Sequence, residues 1–178
     1  MWGIHMKILV LYSSFGGSTE KVAKVIANTI NADMECFEPV RSVPKNKFLK
    51  LFWIFPKLIF QKQPAIKPLK HNPEAYDLIF LGSPVWVGSI SLPAKVILEN
   101  GMLKNKHIAY FYCHVGHHED IPRISKEYIE KKNIFIESKD FEKVKSDYES
   151  QKKEAGIWAK KICFERNEVV NGSINNKN

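Results

Sequence analysis

Cysteine is scarce in this chain of 178 residues. Cys36, Cys113 and Cys163 are odd in number and widely spaced, so they offer neither a disulfide framework nor a zinc-ligand pattern. A reducing, cytoplasmic setting is the default expectation. No apolar run approaches the ~20 residues needed to span a bilayer, and the opening MWGIHMKILVLY has no small-residue cleavage site after its short apolar core. Met6 is an alternative start, with residues 1–5 as an extension. Acidic residues are outnumbered, 19 Asp+Glu against 27 Lys+Arg, for a formal charge of +8. That balance bears on partners rather than on fold. Most lysines are scattered singly, as on a solvated surface, and charge alone makes no case for nucleic acid. A pair of acidic residues after the first apolar run is also missing, which disfavours response-regulator chemistry.

Short apolar runs at 7–12, 78–81 and 108–112 are β-branched or aromatic-rich and lack polar alternation, as expected of strands buried on both faces of a parallel sheet. Weaker strand candidates are 34–37 and 134–137. Helical patterns fall between them. Val22, Ala23, Ile26, Ala27 and Ile30 share one face. In SLPAKVILENG, Ser91 is a plausible cap, Pro93 sits in the first turn and Gly101 stands just past the end. Residues 121–132 and 147–164 form two more helices, the last with Tyr148, Ala155, Trp158, Ala159 and Ile162 facing inward. This alternation predicts a doubly wound α/β domain over residues 6–164. Two segments stand apart: an aromatic, lysine-rich insert at about 45–72, and a polar tail, 165–178, that reads as disordered. The insert is a helical cover on the sheet, or a surface at 45–60 for a homodimer, another partner or a peripheral membrane contact.

Ligands of doubly wound sheets settle outside the carboxyl ends of the strands. The first such loop, Ser14-Phe15-Gly16-Gly17-Ser18-Thr19, contains no Lys or Arg. Its glycines let the backbone curl, its hydroxyls donate, and the following helix adds unpaired N–H groups, so a phosphate can be held by oriented dipoles instead of cations. A Walker loop would need Gly-Lys-Ser/Thr and a dinucleotide fingerprint G-x-G-x-x-G; neither is present. The second loop, Ser83-Pro84-Val85-Trp86-Val87-Gly88, is rigid and aromatic, suited to a flat heterocycle, with Trp86 as the ring contact. The third, Cys113-His114-Val115-Gly116-His117, continues into His118 and Glu119. That run has metal-binding residue types but no matching group elsewhere, so no metal site is expected. Cys113 is a redox thiol or, more simply, a small buried side chain.

The stretches Y-S-S-F-G-G-S-T-E-K-V-A and Y-D-L-I-F-L-G-S-P-V-W-V-G resemble, in this order, the phosphate loop and second flavin loop of the flavodoxin family. The resemblance covers residues 6 to about 164. It implies a five-stranded parallel sheet ordered 2-1-3-4-5 that binds FMN noncovalently. Ser14, Gly16, Gly17, Ser18 and Thr19 then meet the phosphate, Ser83 to Gly88 lie along the isoalloxazine ring, and Cys113 to His117 lie on its other side. Gly16 replaces the family's usual Thr and Ser18 its usual Asn. The third loop lacks the stacking tyrosine of the electron carriers, which are also acidic where this chain is basic. The expected function is that of an FMN-binding redox protein, passing electrons to an unknown redox partner or reducing a small-molecule acceptor. The alternative is a flavin-free binding module that uses the insert on a partner or membrane surface.

Overall fold

An apolar strand without polar alternation is stable only where both of its faces are covered. The structure, a computed structural model, meets that requirement. It describes residues 6–40, 65–116 and 118–175, with side chains as far as residue 169; the stretch 45–60 and His117 therefore lie outside the described residues. Parallel strands β1 (Ile8–Tyr12), β2 (Asp33–Cys36), β3 (Leu78–Trp86), β5 (His107–His114) and β6 (Ile134–Glu142) are ordered β2-β1-β3-β5-β6. The short β4 (Ser89–Ile90) turns back antiparallel on the end of β3. Apart from the number taken by β4, this is the expected 2-1-3-4-5 order.

Alternate residues of each central strand enter different cores. Leu9, Leu11, Ile79, Leu81, Ile108 and Tyr110 face one side, under helices α2 (Leu92–Glu99) and α3 (Ile121–Glu130). Val10, Leu78, Phe80, Ala109 and Phe111 face the other, under α1 (Ser18–Ile30) and α4 (Tyr148–Asn175). On α4 the expected inward face is present: Ala155, Trp158, Ala159 and Ile162 are buried. Trp158 meets Phe80 edge-on at 5.3 Å and donates its indole N–H to Glu137 at 2.7 Å. The ends of α2 also match their signals: Ser91 accepts from the Ala94 N–H, Pro93 lies in the first turn and Gly101 has φ 85°.

Three boundaries differ from the sequence reading by five residues or more. β3 continues five residues beyond Leu81, because Ser83 and Pro84 still pair with Tyr112 and Cys113 of β5. Pro84 is tolerated there because β1, the neighbour on the other side, reaches only to Gly82. β6 runs on to Glu142 through the polar residues of an edge strand. Helix α4 persists to Asn175, where a disordered tail was expected. The apolar stripe ends near Ile162, but no proline interrupts the backbone ladder beyond it.

After β2 the chain makes an excursion whose two ends are tied together. Pro39 and Ile66 form an antiparallel bridge, Val40 donates its N–H to the Ala65 carbonyl, and Lys67 donates its own to Glu38. Behind them Glu35, its side chain 8% exposed, accepts from the N–H groups of Lys70 at 2.7 Å and His71 at 2.9 Å, and meets the His71 ring. Burial alone would raise this carboxyl's pKa, but those donors outweigh it and hold the pKa below its ordinary value. Among the described residues, no helix is long and apolar enough to cross a membrane.

Two stability predictions follow from this packing. A Cβ on Gly82 would stand 2.1 Å from the ring of Phe111, which is fully buried and meets Phe141 edge-on. Gly82→Ala should therefore cost about 1–3 kcal/mol in urea unfolding, with part of the loss recovered by Phe111→Leu in the same chain. Unchanged stability would mean that the ring does not cover Gly82. Glu35→Gln should cost about 1.5–3 kcal/mol at neutral pH. Because the folded pKa is depressed, the wild-type advantage is complete above the unfolded value of about 4.3 and fades as pH falls through the folded one. Parallel pH profiles for the two proteins would contradict this assignment.

Candidate functional site

The carboxyl ends of β1, β3, β5 and β6 open into one cavity of about 530 Å³, within the size range of small-molecule sites. Its floor is the β1–α1 turn. Ser14 Oγ accepts from the N–H groups of Gly17 at 3.2 Å and Glu20 at 3.3 Å, which curls the turn, and Gly17 takes φ 84° at the helix entrance. Among the described residues, the N–H groups of Gly16, Ser18 and Thr19 have no partner. They stand at the positive end of α1. Just before them the Ser13 hydroxyl is buried with no partner. Unpaired donors at a helix N-terminus are the donor set that a phosphate requires.

The wall comes from the other expected loops. Pro84, Val85 and Trp86 line it from β3, and Phe15 faces Trp86 with ring centroids 4.7 Å apart. The β3–β4 turn has Val87 at φ 48° and Gly88 at φ 66°, the pair of positive values that a two-residue hairpin demands. From the end of β5 come Cys113 and His114, and from the loop after it Val115. His114 stacks on Tyr112 at 5.6 Å, meets His118 edge-on at 5.4 Å and turns Nδ1 to the Gly116 carbonyl. Cys113 is buried, and burial pushes its thiol up to about 12 despite a hydrogen bond from Thr19. At neutral pH it is a protonated packing group, not a thiolate.

The cavity thus brings together Phe15, Gly16, Ser18, Thr19, Pro84, Val85, Trp86, Cys113, His114 and Val115. Six other expected residues do not line the cavity. Ser14 and Gly17 shape the turn behind it, and Val87, Gly88 and Gly116 set backbone geometry at its rim. Ser83 points away altogether: it is fully buried, with its hydroxyl 2.6 Å from that of Tyr110. Among the described residues, no group of three His, Cys, Asp or Glu side chains could hold a metal ion.

Sequence reasoning missed a fourth wall. Lys143, Val144, Lys145 and Ser146, the turn after β6, also line the cavity. Ending the weak strand at 137 hid this turn, although the rule that ligands gather at strand carboxyl ends applies to it equally. Its lysines put cations beside a glycine turn that has none of its own.

The sequence pattern of the family described as NADPH-dependent FMN reductase matches residues 6–120. No curated protein sequence matches the chain. Among solved structures, a flavoprotein from Lactobacillus acidophilus NCFM in complex with FMN is 24% identical, with 76% of this chain and 93% of that one covered and a TM-score of 0.66. A flavoprotein from Bacteroides eggerthii DSM 20697 is 23% identical over 89% of this chain and 99% of its own, with a TM-score of 0.68. A flavodoxin from the domain Archaea is 18% identical, covering 88% and 99% of the two chains at a TM-score of 0.52. Identities this low speak for a shared flavodoxin-like fold. The family match is what reaches further: it runs from the start of β1 to the threshold of α3 and so takes in the first three walls of the cavity. The chain belongs to the NADPH-dependent FMN reductase family.

Proposed function

We propose that this protein is an FMN-dependent reductase that takes electrons from NADPH and delivers them to a small acceptor at the open side of the cavity. One observation carries the reading: unpaired N–H donors at the glycine turn share a cavity with an aromatic wall. Family membership supports it. The N–H groups of Gly16, Ser18 and Thr19 would hold the phosphate, with the Ser18 hydroxyl beside them, and Trp86, Val85 and Val115 would border the ring. Bound there, FMN supplies reversible one- and two-electron chemistry. The chain's own part is to orient and shield. Ser14 keeps the turn curled, Phe15 and Trp86 exclude water from one side, and Cys113 stays protonated. Electron carriage between proteins is the competing reading. Oxidation of NADPH with a quinone acceptor by the FMN-loaded chain favours the reductase; its absence favours the carrier.

The phosphate assignment has a direct test. Gly16 is exposed, and a Cβ there would meet nothing closer than Lys145 Nζ at 3.8 Å. Gly16→Asp should therefore fold normally while placing a carboxylate among the donors meant for phosphate. In calorimetric titration the wild type should bind FMN at least about tenfold more tightly than riboflavin. Gly16→Asp should lose FMN binding while keeping its circular dichroism spectrum. A wild type that gives no heat with saturating FMN overturns the reading.

A further inference from the structure

Among the described residues, Lys145 is a cation without an ion pair, beside a loop that has no Lys or Arg of its own. Residues 13–20 contain no Lys or Arg, and the nearby charges are matched. Glu20 is paired with Lys24 at 2.6 Å, Lys143 with Glu142 at 2.9 Å, and Lys21 lies over the Tyr148 ring at 4.9 Å. Among the described residues Lys145 has no ion pair, yet it lines the cavity. Its Nζ stands 3.8 Å from where a Cβ on Gly16 would be. The missing side chain at Gly16 is what leaves room between that ammonium and the backbone donors.

The turn that carries Lys145 is fixed, so its direction is not accidental. Val144 is 1% exposed and anchored in the core under α1 and α4. Lys143 takes φ 49°, and its carbonyl accepts from the N–H groups of Ser146 and Asp147 and from the Ser146 hydroxyl. The backbone on both sides of Lys145 is thereby held, and the side chain extends over the neighbouring phosphate turn.

We propose that Lys145 is a phosphate-recognition residue that closes the anion cradle from the fourth loop and makes this chain select phosphorylated over unphosphorylated flavin. The proposal rests on the FMN reading above. Dipoles of the turn act on an anion at short range; an exposed ammonium adds a full charge that salt screens. Affinity for FMN should accordingly depend on Lys145 and on ionic strength, and affinity for riboflavin on neither.

The test titrates FMN and riboflavin separately into the full chain at low and high sodium chloride. It compares the wild type, Lys145→Met, Lys145→Arg and, as a net-charge control at the opposite end of β5, Lys104→Met. Lys145→Met should weaken FMN binding about tenfold and flatten its salt dependence, with riboflavin binding unchanged. Lys145→Arg should retain most of the affinity and Lys104→Met all of it. If the wild type binds FMN and Lys145→Met stays within about twofold of it with the same salt slope, the role of Lys145 is overturned while the FMN reading stands. If the wild type binds neither flavin, both fall.

Discussion

Peptide N–H groups in a folded chain need partners, and the turn between β1 and α1 is built so that several keep theirs vacant on one side. Ser14 makes this possible. By accepting from Gly17 and Glu20, its hydroxyl completes the inner hydrogen bonding of the curl, while the N–H groups of Gly16, Ser18 and Thr19 have no partner among the described residues. Gly16 is exposed, so water can serve its donor. This limits the desolvation penalty that an unpaired buried donor would carry. Thr19 is the exception within the motif: it is buried, and its hydroxyl is engaged with Cys113.

Burial of the sheet on both faces fixes where that turn can act. With every central strand sandwiched between two helical layers, only the strand ends remain open, and parallel direction puts all of the carboxyl ends on one side. The register is what aligns them. Tyr12 is level with Gly82, Gly82 with Phe111, and Cys113 with Phe141, so each loop departs close to its neighbour. The cavity is thus a product of core packing before it is a product of any loop.

Much of this was legible in the amino-acid sequence because it follows local rules. Continuous apolar runs announced β1 and the starts of β3 and β5, and Ser91, Pro93 and Gly101 marked the ends of α2. What escaped depends on neighbours. Pro84 reads as a strand breaker unless it is known that β1 has already ended beside it. The polar residues 138–140 read as a loop unless they are known to lie on an edge strand paired to β5. That second error concealed Lys145, so a turn expected to offer dipoles alone has a side-chain charge beside it. Ser83 was misplaced for a simpler reason: in a strand, successive side chains face opposite ways, and it turns toward Tyr110, not toward the cavity.

The bridge that joins Pro39 to Ile66 bears on how this fold can vary. Once the two ends of a loop are held together, lengthening it is inexpensive, about 0.6 kcal/mol for each doubling. The clasp at Glu35 sits on the β2 edge and none of its residues lines the cavity. Changes within the clasp, at Glu35, Lys70 or His71, therefore act on the β2 edge and spare the residues that line the cavity.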